Sequence, residues 1–270
     1  MPVRKRFGQH FLHDRAIIER IVAAIDPRPG EHVVEIGPGR GAVTFALLAK
    51  LPHLDAIEID RDLAGRLAAD PRAAGKLALH VGDALRTDFN AIRGAGAPLR
   101  IVGNLPYNIS TPLLFRLIDQ RRSILDVHAM LQKEVVDRIT ATADDRAYGR
   151  LTVMLAAFAG AERLFDVGPG AFQPPPRVWS SVLRLRTSES PRFEIGDPSA
   201  FGRVVAAAFS HRRKTLRNAL RGLLEPAEIE DCGIDPGARP ATLAPERFGQ
   251  LALRLHAREH AGANGPSRRR

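Results

Sequence analysis

The apolar residues of the chain fall into short continuous runs, typical of buried strands, that alternate with longer segments of helical spacing. Strands are predicted over 32–36, 56–59, 77–81, 100–102 and 127–131. Helices are predicted over 42–51, 61–69, 111–121, 133–141 and 149–157, and an earlier one follows residue 15, where Ile17, Ile21 and Ile25 keep helical spacing. This alternation predicts an α/β fold, and the strand, glycine turn and helix at 32–51 are typical of a doubly wound sheet.

Two further strands, 162–167 and 178–185, flank a segment rich in glycine and proline. We expect them to form an antiparallel hairpin at the edge of the sheet. Residues 188–191 and 197–198 have linker composition, and Ser199 is then predicted to cap a helix that runs to about residue 224.

The chain is accordingly divided into an α/β domain over 1–187 and a small α-helical domain over 188–258. Residues 259–270 lack apolar periodicity and are rich in Gly, Ser and Arg, so we expect a disordered basic tail there.

The charge of the chain favours a polyanionic partner. Forty Lys and Arg residues against thirty Asp and Glu give a net charge of +10 and a pI of about 10.8, and nucleic acid fits this better than a membrane surface. Six of the forty cations lie at the termini, at 4–6 and 268–270. Part of the excess positive charge therefore lies in the two terminal segments.

The cysteine content and the hydropathy of the chain narrow the possible classes of protein further. Cys232 is the single cysteine, which excludes a disulfide framework and a Cys-x-x-Cys metal site and fits a reducing compartment. Apolar stretches such as 155–159 are far shorter than the ~20 residues of a membrane span, and no signal-type apolar core follows the basic N-terminus. We expect a cytoplasmic protein without a bound metal.

The most informative stretch is 101–112, an apolar strand that ends in Asn104, Leu105, Pro106 and Tyr107. Pro106 cannot donate to a sheet and holds Leu105 extended, so the Leu105 carbonyl and the Asn104 amide oxygen can converge on one cleft. An exocyclic amine on a flat base needs two such acceptors, and Tyr107 can stack on its ring. The alternative is a strand that ends in a proline turn with a core tyrosine.

Gly37, Gly39 and Gly41 follow the first strand of the sheet and precede a helix. Glycines here let the backbone turn tightly and approach a nucleotide-like ligand. Because Ala42 follows, the run also fits the dinucleotide pattern G-x-G-x-x-A. A nicotinamide or flavin enzyme, or a purely structural turn, therefore stays possible from this segment.

The next two strands also end in polar residues. Glu58 lies 21 residues beyond Gly37, where a carboxylate can accept from ribose hydroxyls, and Asp83 is placed to accept from an adenine amino group or to cap a turn. Successive strand ends with Gly, Glu and Asp, followed by Asn-Leu-Pro-Tyr on the fourth, are typical of S-adenosylmethionine methyltransferases that act on amino groups. A dehydrogenase would not need the Asn-Leu-Pro-Tyr sequence at the end of the fourth strand.

Four segments together resemble the ribosomal RNA adenine dimethyltransferases over roughly residues 4 to 255: Phe-Gly-Gln-His-Phe-Leu at 7–12, Glu-Ile-Gly-Pro-Gly at 35–39, Asn-Leu-Pro-Tyr at 104–107 and Phe-Gln-Pro-Pro-Pro-Arg-Val at 172–178. Residues 212–218, Arg-Arg-Lys-Thr-Leu-Arg-Asn, resemble the small-subunit (KsgA) type rather than the macrolide-resistance branch that modifies large-subunit rRNA.

The resemblance implies a Rossmann-like methyltransferase domain that uses S-adenosylmethionine and dimethylates two adjacent adenosines in the 3′-terminal hairpin of small-subunit rRNA. It implies cofactor contacts from His10, Leu12, Gly37, Glu58, Asp83 and Asn104. Because the family often has Asn where this chain has His10, a backbone contact there carries over more safely than a side-chain one.

The implied chemistry is direct methyl transfer without a strong base. Asn104 and the Leu105 carbonyl would hold the amine so that its nitrogen pyramidalises toward the sulfonium methyl. Tyr107 and, from the resemblance, Phe172 would stack the adenine, which a loop or end of RNA supplies most cheaply. Phe172 can equally be a core residue.

In the helical domain, Arg213, Arg217 and Arg221 recur every four residues on a face distinct from the apolar one. Arg213, Lys214 and Arg217 are predicted to contact rRNA phosphates, the alternative being a solvated face. We expect a monomer whose partner is the small ribosomal subunit or its precursor. Three other functions stay open: a large-subunit rRNA methyltransferase, an RNA-binding assembly factor with secondary methylase activity, and an NAD-linked oxidoreductase.

Overall fold

The computed structural model describes residues 10–211 and 213–263, which divide into two compact units. The first unit takes the described residues up to 136 together with 160–189, and the second takes 137–159 together with those from 190 onward. The sequence assigned 137–159 to the first domain, whereas the structure groups them with the second. The predicted boundary after residue 187 lies close to the observed division after residue 189.

The strands of the structure are β1 (Phe11–Leu12), β2 (Val33–Ile36), β3 (Leu54–Glu58), β4 (Leu77–Val81), β5 (Leu99–Asn104), β6 (Ile124–Gln132), β7 (Ala159–Val167), β8 (Phe172–Gln173) and β9 (Ser180–Thr187). The helices are α1 (Arg15–Ile25), α2 (Ala42–Leu48), α3 (Arg61–Ala68), α4 (Phe89–Arg93), α5 (Ser110–Asp119), α6 (Lys133–Ile139), α7 (Arg150–Ala156), α8 (Pro198–Ala208), α9 (Leu216–Ala219), α10 (Pro226–Asp231) and α11 (Pro245–Ala263).

A seven-stranded sheet in the order β4-β3-β2-β5-β6-β9-β7 organises the first unit. Strands β2 to β6 pair in parallel, and β9 runs antiparallel to β6. The central strands β2 and β5 are buried almost throughout, as is typical of parallel strands with helices on both faces of the sheet. From β2 the chain moves outward to β4 and then returns to β5 on the other side. This reversal opens a crevice at the carboxyl ends of β2 and β5.

Local sequence signals explain where several elements begin. Asp14 caps α1, and its side chain accepts from the Ile17 amide; Asp60 caps α3 in the same way. The short helix α4 was not predicted, because it has five residues and only Phe89 of them is buried, which is too little for a periodic signal. No helix within the described ranges is long and apolar enough to span a bilayer.

The predicted edge of the sheet is present as β7 and β9, which lie side by side at one end. The two-residue strands β1 and β8 were not predicted. They pair antiparallel with each other, Phe11 opposite Gln173 and Leu12 opposite Phe172. Elements this short carry no alternation that a sequence can show.

Helices dominate the second unit, where three sequence expectations are wrong. Asp197, not Ser199, caps α8 by accepting from the Ala200 amide at 2.8 Å. Helix α8 ends at Ala208 instead of continuing to residue 224, and the chain forms the separate helix α9 only from Leu216. The backbone amide of Leu216 is hydrogen bonded to the Ala238 carbonyl at 2.9 Å, a long-range contact that local spacing does not reveal.

The third correction concerns the predicted tail. Helix α11 extends to Ala263, so residues 259–263 are helical, and Glu259 forms a two-pronged ion pair with Arg203 of α8 at 2.7 Å. Residues 264–270 lie outside the described residues. The segment 137–159 joins this unit partly through Tyr148, whose buried hydroxyl donates to the Leu243 carbonyl at 2.7 Å.

Candidate active site

A cavity lies in the first unit, at the carboxyl ends of β2 to β5. Each of these strands contributes its terminal residue or the residues that follow it. The cavity brings together nearly all the residues that the sequence singled out in this unit: His10, Leu12, Gly37, Glu58, Asp83, Asn104, Leu105 and Tyr107. The four strand ends predicted from the sequence, one glycine and three polar residues, therefore face one space.

The glycine turn after β2 uses left-handed backbone at Gly37 (φ 71°), Gly39 (φ 57°) and Gly41 (φ 82°). A side chain at Gly41 would clash, since its Cβ would lie 2.4 Å from the Phe45 ring. At Gly37 the nearest atom to such a Cβ is the Asn104 carbonyl oxygen at 3.8 Å, so only the backbone conformation demands glycine there. Gly37 is thus the glycine that leaves room for a ligand, and Gly41 is required for packing.

Glu58 holds the glycine turn in place from the end of β3. Its side chain is buried, with 4% exposed, and its two oxygens accept from the Gly39 amide at 3.1 Å and from the Asp60 amide at 2.9 Å. Burial raises the pKa of Glu58 above its usual value, against the lowering effect of these hydrogen bonds. The Ile59 amide also contributes a hydrogen bond, so the carboxylate keeps part of its acceptor capacity for ligand hydroxyls.

Glu35 is a functional candidate to which the sequence analysis assigned no role. It lines the cavity from β2 with 3% of its surface exposed, and the Thr44 hydroxyl donates to it at 2.6 Å. Burial, reinforced by the nearby charge of Glu58, raises the pKa of Glu35 to about 7. The residue stands within the segment 35–39, but the sequence cannot show that a carboxyl in a strand is desolvated.

Asp83 takes the turn role that the sequence offered as one alternative, and its contact with an adenine amino group stays a prediction. Its Oδ1 accepts from the Leu85 amide at 2.9 Å, which makes it a turn residue, and it also lines the cavity. The neighbouring Ile59, Ala84 and Leu85 give the cavity an apolar wall. A flat heteroaromatic ring with an amino group fits a wall of this kind beside a carboxylate.

Asn104 connects the end of β5 to the N-terminal segment, because its Nδ2 donates to the His10 carbonyl oxygen at 3.2 Å. Within residues 10–211 and 213–263, no donor is bonded to the Asn104 Oδ1 or to the Leu105 carbonyl oxygen. The Leu105 amide donates to the Met130 carbonyl at 3.1 Å and fixes this backbone. Two acceptor oxygens on adjacent cavity residues therefore remain available.

The ring of Tyr107 is held by a hydrogen bond at its hydroxyl and by a stacking contact on one face. Its hydroxyl is hydrogen bonded to the Ser180 hydroxyl at 2.8 Å, and its ring stacks on that of His10 with centroids 5.9 Å apart. Burial raises the pKa of Tyr107, so the phenol is neutral and serves as a positioned aromatic face.

The N-terminal segment covers the glycine turn. His10 Nδ1 is hydrogen bonded to the Pro174 carbonyl oxygen at 2.8 Å, and Phe11 packs on Gly39 while the Arg40 guanidinium lies 4.2 Å from the centre of its ring. The His10 carbonyl is occupied by Asn104, so this residue organises the wall of the cavity through both its backbone and its ring.

Phe172 does not line the cavity, and its predicted stacking role is not supported. Its side chain is 2% exposed and belongs to the apolar core with Leu12, its partner in the β1–β8 pair. Burial in this core leaves no ring face open to a ligand. The core position that the sequence left open as the alternative is the one observed.

The predicted row of arginines on one helix is also wrong. Arg213 and Lys214 precede α9, which has only four residues, so Arg213 and Arg217 do not share a helical face. All three predicted RNA contacts, including Arg217, are exposed, and within the described part of the chain none of them pairs with a carboxylate. Their exposure is compatible with phosphate contact, but the regular spacing that motivated it is not present.

Within the described residues, no group of three or more His, Cys, Asp or Glu side chains is arranged to hold a metal ion. The chemistry offered by the cavity is instead that of carboxylates, open carbonyl acceptors and an aromatic face.

Comparison with known proteins agrees with this site. Residues 2–256 match the family model described as ribosomal RNA adenine dimethylase. The ribosomal RNA small subunit methyltransferase A of Xanthomonas campestris is 51% identical over 251 residues, covering 93% of this chain and 95% of the relative. The protein of the same name from Chromobacterium violaceum is 50% identical over 253 residues, covering 94% and 95%.

Solved structures are similar over nearly the whole chain. A dimethyladenosine transferase from Plasmodium falciparum superposes with a TM-score of 0.76 at 25% identity, over 93% of this chain and 98% of that one. The 23S rRNA methyltransferase ErmE superposes with a TM-score of 0.70 at 25% identity, over 91% and 99%. The predicted Rossmann-like fold and the predicted resemblance are both confirmed, and the chain belongs to the ribosomal RNA adenine dimethylase family.

Proposed function

We propose that this S-adenosylmethionine-dependent enzyme dimethylates N6 of two adjacent adenosines in the 3′-terminal hairpin of small-subunit rRNA, during ribosome biogenesis. The observation that carries the proposal is the pair of open acceptors, Asn104 Oδ1 and the Leu105 carbonyl, beside the fixed ring of Tyr107. An adenine amino group has two N–H donors on a flat ring and matches that set.

The cavity residues fit S-adenosylmethionine. Glu58 would accept from the ribose hydroxyls, and Gly37 would give room at the methionine end. Asp83 would accept from the adenine amino group through Oδ2, which has no hydrogen bond within the described residues. Leu12 and the backbone around His10 would close the space from the N-terminal side. When bound, the cofactor supplies an electrophilic methyl group on a sulfonium.

The residues of the chain would orient the target amine instead of deprotonating it. Asn104 and Leu105 accept its two N–H groups and keep the nitrogen lone pair out of conjugation with the ring. Because the bound cofactor would supply an electrophilic methyl group, the amine would not have to lose a proton first, and its extra proton would leave to solvent after the transfer. A second round requires the monomethyl amine to return with its remaining N–H on one of the same acceptors.

Substrate choice within the family is supported by sequence similarity. Relatives about 50% identical over almost the full chain are named for the small subunit, whereas ErmE, named for 23S rRNA, shares 25%. The same comparison disfavours the nicotinamide alternative, which no cavity residue specifically requires. We further propose that the protein acts as a monomer in the cytoplasm, in keeping with its single cysteine.

The decisive experiment uses unmodified small subunits, unmodified large subunits and labelled S-adenosylmethionine. Mass spectrometry of rRNA digests should show two adjacent dimethyladenosines near the 3′ end of small-subunit rRNA and none in large-subunit rRNA. Modification of large-subunit RNA alone, or subunit binding without any methyl transfer, would contradict the proposal. Sedimentation of the protein before the assay checks the oligomeric state.

A further inference from the structure

Val178 and Trp179 stand at the same edge of the sheet as the cavity. They directly precede β9, which runs antiparallel to β6, so its beginning lies at the carboxyl ends of the parallel strands. Ser180 pairs with Gln132, and the Lys133 amide extends the ladder by donating to the Trp179 carbonyl at 2.9 Å. The backbone at Trp179 is therefore fixed as firmly as the strand.

The exposed apolar surface of this unit is concentrated at that edge. Trp179, the single tryptophan of the chain, is 56% exposed, and Val178 is 43% exposed. Among the described residues, the other exposed large apolar side chains are Ile59, Val81 and Leu125. Ile59 lines the cavity and Val81 ends β4, while only Leu125 lies at the opposite end of the sheet. Because β3 and β4 lie several strands away from β9, Ile59 and Val81 are separate from Val178 and Trp179. Single exposed residues need no explanation, but an adjacent exposed pair that includes an indole indicates a contact surface.

The indole of Trp179 is positioned and is not merely left in solvent. A Cβ at Gly168 would lie 3.7 Å from its Cη2 and 3.8 Å from its Cζ3, so the benzo edge of the ring rests on the backbone of Gly168. One edge of the indole ring is therefore supported by backbone, and the rest of the ring is open to solvent. A rigid, half-exposed aromatic ring of this kind loses little conformational freedom when a second ring stacks on it.

The surroundings favour nucleic acid over protein as the occupant. Arg177 is exposed, and within the described residues it forms no ion pair or hydrogen bond, so a free cation lies two residues from Trp179 in the chain. The pair is also tied to the cavity through the next residue, because the buried Ser180 hydroxyl contacts the hydroxyl of the cavity residue Tyr107 at 2.8 Å. A stacking ring with an unpaired arginine matches one base and one phosphate of a single strand.

We propose that Val178 and Trp179 form a stacking platform for an RNA base that flanks the adenosine in the cavity, with Arg177 contacting its phosphate. This inference rests on the proposed function, because it assumes that an RNA strand enters the cavity. The platform holds the strand beside the target nucleotide and thereby contributes affinity for RNA, not for the cofactor.

The single tryptophan makes a direct test possible. An RNA hairpin with two adjacent loop adenosines is titrated into the full chain, and the tryptophan emission is followed while filter binding measures the bound fraction. We expect saturable quenching that tracks binding. Trp179→Ala should weaken RNA binding by about 10-fold, as loss of one base–aromatic stack does, and Trp179→Phe should restore most of it. Leu125→Ala removes an exposed apolar side chain at the opposite end of the sheet and should bind like wild type.

Cofactor affinity, measured by calorimetry, should be the same in all four proteins. Bound RNA without a change in emission, together with wild-type affinity of Trp179→Ala, would overturn the platform. Loss of binding to whole subunits with unchanged binding to the hairpin would also overturn it, since that result points to a ribosomal protein. Either result leaves the proposed function intact as long as wild-type enzyme still methylates small subunits, so the two failures are distinguishable.

Discussion

The side-chain amide of Asn104 donates to the main-chain carbonyl of His10 at 3.2 Å, across 94 positions of sequence. The amide group is planar, so this bond also fixes the direction of Oδ1. One hydrogen bond thus joins the N-terminal segment to the end of β5 and orients an acceptor in the cavity.

Replacing Asn104 should affect the chemical step more than cofactor binding. Asn104→Ala should lower the single-turnover rate by ~100-fold or more and leave S-adenosylmethionine affinity nearly unchanged, because the lost acceptor acts mainly during transfer. Asn104→Asp keeps an acceptor but cannot donate to His10. A rate for Asn104→Asp near that of Asn104→Ala would show that orientation by His10 matters. If Asn104→Ala turns over at the wild-type rate, the side chain of Asn104 only caps a turn and does not position the amine.

Glu58 and Asp83 should contribute to cofactor affinity. Glu58→Ala and Asp83→Ala are each expected to weaken binding by ~1 to 3 kcal/mol, because a ligand donor loses its acceptor. Calorimetry measures the loss. Since Glu58 also accepts from Gly39 and Asp60, its removal should lower thermal stability as well.

Conservative variants separate the two effects at these positions. Asp83→Asn retains an oxygen for the Leu85 amide and so preserves the turn, and Glu58→Gln retains one acceptor oxygen. Loss of affinity in these variants at wild-type melting temperature would locate the effect in the ligand contact. Unchanged affinity in both alanine variants would refute the cofactor assignment.

The strand ends of the sheet could be predicted because each depends on local sequence. A buried parallel strand is an apolar run, and the residue after it must face the crevice, so Gly37, Glu58, Asp83 and Asn104 were found from spacing alone. Their convergence follows from the parallel pairing of β2 to β5, which the alternation of strands and helices already implied.

The features that could not be predicted from the sequence depend on contacts between residues far apart in the chain. Phe172 is a core residue because β8 pairs with β1, and two-residue strands leave no periodic trace. The end of α8 at Ala208 is accompanied by backbone hydrogen bonds from α9 to residues 236 and 238. The raised pKa of Glu35 depends on its burial and on the nearby charge of Glu58, which no spacing reveals.

The raised pKa of Glu35 predicts a pH dependence of stability. With a pKa of about 7 in the folded protein against an ordinary value of 4.5, the folded state binds more protons than the unfolded state between these values. The stabilising contribution is therefore complete below pH 4.5 and is lost as the pH rises through 7. Glu35→Gln is neutral at every pH and should remove this loss.

Urea denaturation of both proteins at pH 5 and pH 8 tests the expectation. The stability of Glu35→Gln relative to wild type should increase between these values, by about 3 kcal/mol at most for a shift of this size. Thr44→Val removes the hydroxyl that donates to Glu35 and should steepen the dependence. Parallel profiles for wild type and Glu35→Gln would mean that Glu35 titrates normally.

The remaining prediction concerns the segment 213–217 of the second unit. The structure places its cations on a turn and one short helix, exposed and, within the described residues, unpaired with carboxylates. Cations outside ion pairs are available to phosphates without first breaking a contact. The proposed RNA contact therefore depends on the exposure of these unpaired cations and not on a row of arginines along one helix.

Replacing Arg213, Lys214 and Arg217 together with Gln should weaken binding to small subunits and flatten its salt dependence. If all three contact phosphates, the slope of log affinity against log salt should fall by about 2 to 3, because each lost contact releases roughly one counterion fewer. The matched control removes three exposed cations near the amino-terminal edge of the sheet: Lys50, Arg66 and Lys76. It lowers the net charge equally and should leave the slope close to wild type. Equal slopes for the two triple variants would show that net charge, not contact by the segment 213–217, governs subunit binding.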